Sequence, residues 1–336
     1  MILCLTHSND FYTIDIVQQH LLKSGYSSFR LNTDEFATSY RLNYSLQSNI
    51  RECFISVNGQ KIYASQIQAV WYRKLWNFKI PPELDPSYRD VFLKEYQTYL
   101  HIFFNSLNRV PWMNNIDADH AVCNDKLNQL MVAQAAGLKI PASVFTNETG
   151  IINNFFEQCN GNMIVKLHGA LSKSMDGNDR FFPTTRLALE DLANLDSLAY
   201  CPMIFQEYIP KAYELRIVYV DGEFFTGQIT VDAEKYTDWR TATGIHMPWK
   251  KYTLPVELQY KIGKVMNELG LSFGAIDMIR HTNGEYVFLE VNPQGEWGML
   301  QKHLSYPIGE TIAEKLISRI KNEQEESIDH YAYRGS

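Results

Sequence analysis

The sequence has little of what marks membrane, secreted or nucleic-acid-binding proteins. No apolar run approaches the ~20 residues that span a bilayer, and the N-terminal MILCLTHSND lacks the charged segment and cleavage site of a signal peptide. Five widely spaced cysteines, without a CxxC pair, indicate neither a disulfide framework nor a zinc site. A formal charge of −7 argues against a general nucleic-acid binder, which would carry a basic face. We expect a cytoplasmic protein whose partners include neither nucleic acid nor membrane.

Internal repeats, low-complexity linkers and the GxxxxGK[ST] phosphate loop are also missing from the sequence. The chain has 336 residues, of which 45% are hydrophobic and 21% charged, a composition typical of globular proteins. A single hydrophobic core for a chain of this length would be unusually large, so we expect the chain to fold into two or three lobes. Helical and extended patterns alternate along the chain, which predicts a mixed α/β (α+β) fold.

Residues 1–114 carry the patterns of an N-terminal lobe. Residues 1–31 predict a strand, a helix and a second strand, with Gly25 where the helix ends. Residues 42–72 predict a β-meander in which Asn58-Gly59 forms a type I′ hairpin turn. A helix is predicted over residues 87–107, with an apolar face formed by Val91, Phe92, Tyr96, Tyr99 and Phe103.

A second series of elements begins near residue 115. A helix is predicted to start at Asp119 or Asn124 and to end at Gly137, and leucines 189, 192 and 195 form a stripe on a helix over 187–198. The other predicted elements are strands at 142–146, 162–167, 203–207, 214–220, 223–231, 273–279 and 285–292, and helices near 153–158, 255–269 and 308–321. From about residue 323 the charged tail is predicted to be disordered.

Oxygen-bearing side chains are concentrated in the segment Phe288-Leu-Glu-Val-Asn-Pro-Gln-Gly295. Alternate residues of a strand face the same side, so Glu290 and Asn292 should project together while Leu289 and Val291 face the core. Asp277, on the preceding strand, can lie opposite them. Two carboxylates and an amide oxygen suit Mg²⁺, so we predict a magnesium site, with a solvated acidic sheet face as the alternative.

Two lysines are candidates for contacting phosphate. Lys166 lies in the apolar strand Met163-Ile-Val-Lys-Leu167, where an ammonium group needs an anionic partner. Lys126 lies at the start of a predicted helix. Taken singly, Lys126 also fits an exposed position, and Lys166 fits a strand-end lysine that extends to water. The polar segment 169–177 can fold over phosphates and donate backbone N–H groups.

The segment Phe205-Gln-Glu-Tyr-Ile-Pro-Lys-Ala-Tyr-Glu-Leu-Arg-Ile217 joins two predicted strands. A chain leaving a sheet near Tyr208 exposes backbone groups that can pair with the edge of an adenine ring. Glu214 and Arg216 share a strand face by their spacing. The first can accept ribose hydroxyls and the second can grip a phosphate or carboxylate. The alternative is a cross-strand ion pair on the surface of the sheet.

These segments occur in a recognisable order. Asn124-Asp-Lys, Ile164-Val-Lys, Gln206-Glu-Tyr-Ile, Glu214-Leu-Arg, Gly274-Ala-Ile-Asp and Leu289-Glu-Val-Asn-Pro-x-Gly together resemble the ATP-grasp ligases. Nearly the whole chain is similar to one subgroup, the maturases of graspetides, which are microviridin-like peptides. That similarity includes Thr6-His-Ser-Asn-Asp-x-x-Thr-Ile-Asp15, Arg30-Leu-Asn-Thr-Asp34, Trp71-Tyr-Arg-Lys74, Asp238-Trp-Arg240 and Asn292-Pro-Gln-Gly-Glu-Trp297.

The resemblance implies an ATP-grasp fold of three lobes and assigns ligands to residues. The lobes would be a pre-ATP-grasp βαβ domain (1–114), a central domain (115–203) and a C-terminal domain (204–322), before the tail (323–336). Lys126 and Lys166 would hold ATP phosphates, Glu207, Tyr208 and Ile209 would line the adenine pocket, and Glu214 would meet the ribose. Gln206 would also belong to the cofactor site. Asp277, Glu290 and Asn292 would hold Mg²⁺. Some ATP-grasp ligases carry Arg where this chain has Ala275, so we expect Arg216 or Arg240 to supply that charge.

The reaction implied is the activation of a carboxylate as an acyl phosphate. The substrate would be a ribosomal precursor peptide whose Glu or Asp side chain is joined to a Thr or Ser hydroxyl, or to a Lys amine, and we favour the ester. Two alternatives stay open: a ligase of the glutathione-synthetase or glutamate-adding type, and a nucleotide-binding regulator without catalysis. Catalysis would use Lys166, Arg216 and Arg240.

The peptide is expected to contact side chains away from the reacting carboxylate. Phe181, Phe182 and Leu192 would line a groove for a short helix of the peptide. Arg73, from the N-terminal lobe, is a further candidate, after Arg216 and Arg240, for handling the peptide carboxylate or its phosphate. The alternative is that the leucine stripe only packs its helix on the sheet. A homodimer is one assembly that the sequence leaves open.

Overall fold

The computed structural model describes residues 1–48, 50–75, 77–168, 184–230 and 249–333. These residues form two compact units, one made of Met1–Ile116 with Pro307–Ser336 and the other of Asp117–Tyr306. Both contain sheets and helices, as the mixed α/β pattern of the sequence predicts. Within the described ranges, no helix combines the length and the apolar composition that crossing a bilayer requires.

The first unit is built on a parallel sheet of strand order β2-β1-β6-β7. Its members are β1 (Ile2–Thr6), β2 (Ser28–Asn32), β6 (Ala69–Tyr72) and β7 (Trp112–Met113), and helix α1 (Tyr12–Lys23) joins the first two. Every residue of β1 and β6 is buried, because parallel sheets are covered on both faces. The predicted strand–helix–strand is therefore confirmed, and Gly25 follows the helix with a φ of +84°.

A smaller antiparallel sheet and a long helix complete this part of the chain. The sheet has the order β3-β4-β5, with β3 (Arg41–Gln47), β4 (Ile50–Val57) and β5 (Gln60–Tyr63). Positive φ angles at Asn58 (48°) and Gly59 (77°) confirm the predicted type I′ turn. Helix α2 spans Phe36–Ser39 and α3 spans Arg89–Ser106, and short 3-10 helices occupy Thr33–Glu35, Ala64–Gln66 and Pro86–Tyr88. The apolar face of α3 buries Leu100, Phe103 and Phe104, whereas Val91 is exposed.

The C-terminal helix differs from the prediction in two respects. Helix α9 spans Ile308–Tyr333, so the segment from 323, predicted to be disordered, is helical as far as residue 333. It packs on α1 and β6 of the first unit instead of belonging to a C-terminal domain that ends at residue 322. The reason is the apolar stripe of the helix, in which Ile312, Leu316 and Ile320 are buried.

The second unit contains a four-stranded antiparallel sheet of order β10-β9-β11-β8. Its strands are β8 (Ser143–Thr146), β9 (Met163–Lys166), β10 (Thr185–Leu187) and β11 (Met203–Glu207), and helix α6 (Thr149–Gln158) lies between the first two in the chain. One face of the sheet holds a core cluster that includes Ile152, Val165 and Phe205. The leucine-striped segment is a 3-10 helix, Leu189–Tyr200, in which Leu195 is buried in that cluster, Leu192 is half-buried against it and Leu189 is exposed.

A five-stranded antiparallel sheet, of order β14-β13-β12-β15-β16, forms the rest of the second unit. Its strands are β12 (Lys211–Val220), β13 (Glu223–Ile229), β14 (Lys250–Tyr252), β15 (Phe273–His281) and β16 (Tyr286–Asn292). Helices α4 (Ile116–Asn124), α5 (Lys126–Ala135), α7 (Val256–Glu268) and α8 (Gly298–Leu304) accompany it. One core cluster joins α5 and α7 to this sheet, and it includes Leu130, Ile262 and Val291.

This packing changes the predicted boundaries. Residues 117–138 belong with the five-stranded sheet and not with a central domain, because Val122, Leu130, Ala133 and Leu138 lie in its core. The predicted boundary at 203/204 falls inside β11, which pairs with both β8 and β9. Of the two predicted starts of the helix that runs to Ala136, Asn124 lies close to the observed one and Asp119 lies in the separate helix α4. Asp125 caps α5 by accepting a hydrogen bond from the backbone N–H of Asn128.

Candidate active site

The predicted metal ligands meet on one face of the five-stranded sheet. Asp277 of β15 lies directly opposite Glu290 of β16, and Ala275 lies opposite Asn292. A β-bulge follows Asp277 and leaves Leu289 as the extra residue of β16. As predicted, Val291 is buried in the core. The prediction that Leu289 faces the same core was wrong. The bulge turns this side chain to the other face of the sheet, where it packs with Ile209, Ile279 and Val287.

Two ion pairs neutralise the carboxylates. Arg216 Nη1 lies 2.9 Å from both oxygens of Asp277, and Lys126 Nζ lies 2.8 Å from Glu290 Oε2. The four side chains carry two positive and two negative charges, so their sum is zero. All four are largely shielded from solvent, with side-chain exposures between 9% and 17%. Lys126 is therefore not at an exposed position, and its binding of phosphate stays a prediction.

Asn292 connects the two carboxylates. Its Nδ2 lies 3.4 Å from Asp277 Oδ2 and 3.3 Å from Glu290 Oε1, so the three side chains converge on one point. A half-turn of the carboxamide would present Oδ1 there instead, giving three oxygen-bearing groups of the kind Mg²⁺ prefers. The residues therefore fit the metal. Among the described residues no group of three or more His, Cys, Asp and Glu is arranged to hold a metal, which agrees with a triad that has only two carboxylates.

Arg216 is held by the turn that follows β16. Its Nη2 donates a hydrogen bond to the carbonyl oxygen of Glu296 at 3.1 Å. A Cβ atom at Gly295 would lie 2.8 Å from Arg216 Nη2 and 2.3 Å from Ala275 Cβ, so glycine is required for the guanidinium to pass. The same contact shows why position 275 holds a small residue in this chain. Arg216 thus lies on the carboxylate face of the sheet, and its role toward a phosphate stays a prediction.

An apolar cluster adjoins the carboxylates on the same face of the sheet. Glu214 and Arg216 of β12 lie opposite Ile279 and Asp277 of β15, and Ile279 packs with Ile209, Val287 and Leu289. Glu214 Oε1 lies 2.6 Å from Lys211 Nζ, so the two side chains form an ion pair along the strand. This face of the sheet therefore carries apolar side chains at one end and charged side chains at the other. The arrangement matches a ligand that has a flat base and an anionic tail.

The segment Glu207–Ile209 runs beside this cluster. The backbone N–H of Glu207 donates to the carbonyl of Ala142 at 2.9 Å, and that of Tyr208 donates to the carbonyl of Asn162 at 2.8 Å. Arg186 stacks on the Tyr208 ring at 4.5 Å and donates to the side chain of Asn162. These contacts fix the connection between β11 and β12 where the sequence predicts the adenine pocket.

Gln206 and Lys166 lie on the sheet face opposite the core cluster of β11. Lys166 is paired with Ile204, and Gln206 with Ile164 and Ser143, whereas Phe205 between them is buried in the core. Lys166 is half-buried and Gln206 is 1% exposed. Because alternate residues of a strand share a face, both candidates lie on one side of the four-stranded sheet.

Two buried polar residues near the carboxylates escaped the sequence analysis. Asp119 of α4 accepts a hydrogen bond from Gln294 Nε2 at 2.6 Å, and Gln129 of α5 accepts one from the backbone N–H of Val291 at 2.9 Å. Burial and the nearby Asp119 raise the pKa of the Cys123 thiol to about 12, so Cys123 is protonated and not nucleophilic at neutral pH. A polar residue on a helix predicted to pack against the sheet is the only signal for the first two.

Other predicted residues lie elsewhere. Arg73, in the first unit, is buried, with Nε 3.7 Å from Asp10 Oδ2 and 3.4 Å from Thr13 Oγ1. Its role toward a substrate stays a prediction, as does that of Leu192. Arg240, Phe181 and Phe182 lie outside the described residues, together with the whole of the predicted phosphate loop 169–177.

Comparison with known proteins places the chain. Residues 1–120 match the family model described as the MvdD pre-ATP grasp domain. The crystal structure of macrocyclase MdnB from Microcystis aeruginosa MRC is 40% identical, with a TM-score of 0.82, and the alignment covers 94% of this chain and 98% of that one. The chain belongs to the graspetide-type ATP-grasp macrocyclases. The present chain is also 32% identical to MdnC of the same organism, whose structure was solved with the precursor peptide MdnA bound. The TM-score is 0.84, and the alignment covers 94% of the present chain and 99% of MdnC.

A further structure extends the similarity beyond that organism. The RiPP-associated ATP-grasp ligase of Chryseobacterium gregarium, in complex with ADP and a leader and core peptide, is 28% identical. Its TM-score is 0.86, and the alignment covers 95% of this macrocyclase and 96% of that chain. No match was found among curated proteins. The resemblance seen in the sequence is confirmed, so the macrocyclase has the ATP-grasp fold and is an ATP-dependent carboxylate ligase that acts on peptides.

Proposed function

We propose that the enzyme closes rings in a ribosomal precursor peptide by phosphorylating a Glu or Asp side chain with ATP. The acyl group then passes to a Thr or Ser hydroxyl, which forms an ester, or to a Lys amine, which forms an amide. The observation that carries this proposal is the convergence of Asp277, Glu290 and Asn292 within hydrogen-bonding distance beside Arg216 and Lys126. The precursor peptides in the structures of two relatives support a peptide substrate.

ATP and Mg²⁺ are the proposed ligands of the charged face. The ADP bound to the Chryseobacterium relative supports the nucleotide. Asp277, Glu290 and Asn292 would hold the metal, which would neutralise phosphate charge during transfer. Lys126 and Lys166 would bind phosphates, and the apolar cluster around Ile209 would carry the base.

Arg216 has the geometry to act on the substrate carboxylate. Its guanidinium is held by Asp277 and by the Glu296 carbonyl, while Nε makes no hydrogen bond to any described residue. A fixed guanidinium stabilises the growing negative charge on an acyl phosphate without having to reorganise. We propose the same role for Arg240. Carboxylate oxygen is a poor leaving group, so activation must precede attack by the hydroxyl or amine.

We retain the ester as the favoured product and the groove near Leu192 as the proposed peptide site. Leu192 is half-buried against the core cluster of the central sheet, so part of its surface remains to contact a peptide. Exposed Leu189 is the neighbouring apolar side chain. Arg73, Phe181 and Phe182 remain further proposed contacts, and a homodimer remains the proposed assembly.

Mass spectrometry of a candidate precursor peptide rich in Thr and Glu, sought among the reading frames beside the gene, tests the proposal. Incubation with enzyme, ATP and Mg²⁺ should remove one water per ring, and mild alkali should reopen esters but leave amides closed. Asp277→Asn and Glu290→Gln should abolish the reaction, while Glu268→Gln, at an exposed position, should retain it. Release of ADP with free amino acids but not with the peptide would instead indicate a small-molecule ligase.

A further inference from the structure

Strand β16 is the last strand in the order of the five-stranded sheet, and it carries Glu290 and Asn292 of the proposed metal site. Such a strand has backbone N–H groups that its own sheet does not pair. One of them belongs to Val291, between the two proposed ligands, and it donates to Gln129 Oε1 at 2.9 Å. Val291 is 1% exposed, so this N–H group depends on a protein acceptor.

The β-bulge determines which N–H group needs that acceptor. Ahead of the bulge, the N–H of Phe288 points away from the sheet and donates to the carbonyl of Lys139 at 2.8 Å. In a regular antiparallel strand the next outward N–H would follow two residues later. Because Leu289 is an extra residue, the next outward N–H is that of Val291, three residues later. Gln129 therefore supplies an acceptor that the irregular backbone of this strand requires.

The carboxamide of Gln129 is fixed at both of its ends. Its Nε2 donates to the carbonyl oxygen of Val122, in the last turn of α4, at 2.8 Å. A backbone N–H can only donate and a carbonyl can only accept, so a single orientation of the carboxamide satisfies both partners. The Gln129 side chain is 2% exposed. It thus bridges β16 to the end of α4 inside the protein.

Helix α5 consequently holds β16 at two successive residues. Lys126 lies three residues before Gln129, on the same side of the helix, and its Nζ lies 2.8 Å from Glu290 Oε2. Gln129 holds the backbone of Val291, and Asn292 follows with its Nδ2 3.3 Å from Glu290 Oε1. A shift of this backbone would move both proposed ligands relative to β15. Such a shift matters because Mg²⁺ requires near-ideal octahedral geometry at about 2.0–2.1 Å.

We propose that Gln129 is a positioning residue of the magnesium site, which keeps Glu290 and Asn292 converged without itself being a ligand. The inference rests on the metal site of the proposed function and adds a residue that sets the affinity of that site for the ion. Removing groups that orient metal ligands typically lowers metal affinity about 10–100-fold. The direct contacts of a nucleotide with the protein should be unaffected.

Calorimetric titration of ADP, first in EDTA and then at a series of Mg²⁺ concentrations, tests the proposal without the precursor peptide. Gln129→Met keeps the length of the side chain but loses both hydrogen bonds. The Mg²⁺ concentration that gives half of the metal-dependent gain in ADP affinity should rise about tenfold, while the affinity in EDTA changes by no more than about twofold. Gln129→Asn keeps a carboxamide that is a methylene too short to bridge the two backbone groups, and that concentration should rise at least about threefold.

Two controls on α5 distinguish positioning from general stability. Gln134→Met, at an exposed position, should behave as the wild type in every measurement. Leu130→Val shortens a side chain of the core, so it should lower the melting temperature but leave the Mg²⁺ dependence within about twofold of the wild type. Wild-type Mg²⁺ dependence in the folded Gln129 variants would overturn the role of Gln129 and leave the metal site standing. A wild type whose ADP affinity does not respond to Mg²⁺ would overturn both.

Discussion

Arg216→Lys separates the structural and chemical roles of the arginine. The guanidinium makes three contacts at once, two to Asp277 at 2.9 Å and one to the Glu296 carbonyl at 3.1 Å. A lysine keeps the charge but cannot span the carboxylate and the carbonyl together. One acceptor is therefore left without its donor in a region where the arginine side chain is only 9% exposed.

The expected loss follows from that count of contacts. Leaving a buried acceptor unpaired costs about 1–3 kcal/mol, and the remaining Lys–Asp bond keeps part of the charge-assisted interaction, so we expect a net loss of about 2 kcal/mol. In a unit of this size that corresponds to a melting temperature lower by about 4–8 °C. Ring closure should slow at least about tenfold, since the positive charge is no longer fixed, while ADP affinity changes by no more than about twofold.

Differential scanning fluorimetry, ADP calorimetry and mass spectrometry of the peptide measure the three quantities. Arg280→Lys is the matched control, because Arg280 lies on the neighbouring strand β15 but stacks on Tyr286 at 4.1 Å and makes no described contact with the carboxylates. It should cost less than about 1 kcal/mol, as expected for one partly exposed cation–π contact. Equal stability and ring closure in Arg216→Lys and the wild type would refute the reasoning.

The other predictions concern charge. Glu290→Gln removes a proposed metal ligand, so turnover should fall at least about 100-fold in an ADP-release assay; normal turnover at the same Mg²⁺ dependence would contradict the metal assignment. Lys166→Ala should weaken ADP binding about tenfold by calorimetry, and unchanged affinity would return Lys166 to a structural role. Burial opposes ionisation of Asp34, but hydrogen bonds from Ser8 and Lys79 outweigh it and lower the pKa of Asp34. Its stabilisation is therefore present above the ordinary carboxyl pKa and lost as the pH falls through the lower folded value. Asp34→Asn should cost about 1–2 kcal/mol in urea unfolding at pH 7 and progressively less in acid; a difference that is constant with pH would contradict this.

Local patterns determined most of the elements. The type I′ turn at Asn58-Gly59 follows from the positive φ that both residues tolerate. The burial of β1 and β6 on both faces follows from their continuous apolar runs. These features depend on a few neighbouring residues, so the sequence alone was sufficient for them.

The placement of the candidate metal ligands on one face of the sheet was also predictable. Alternation along β16 places Glu290 and Asn292 on one face, and the pairing of adjacent strands places Asp277 opposite Glu290. The prediction failed at Leu289, because a β-bulge shifts the alternation by one residue. Nothing in the residues around Leu289 specifies the bulge without its partner strand.

Contacts between distant segments were decided only by the tertiary structure. Packing of α9 on α1 makes the C-terminal residues part of the first unit, and α5 joins the core of the five-stranded sheet. The sequence of an amphipathic helix predicts that one face is buried, but it does not specify the element against which that face packs. The pairing of Lys126 with Glu290 and of Arg216 with Asp277 is of the same kind. The sequence by itself determined which residues carry charge and on which strand face they lie. The fold decided which charged side chains pair with each other, because pairing depends on the distances between residues that are far apart in the chain.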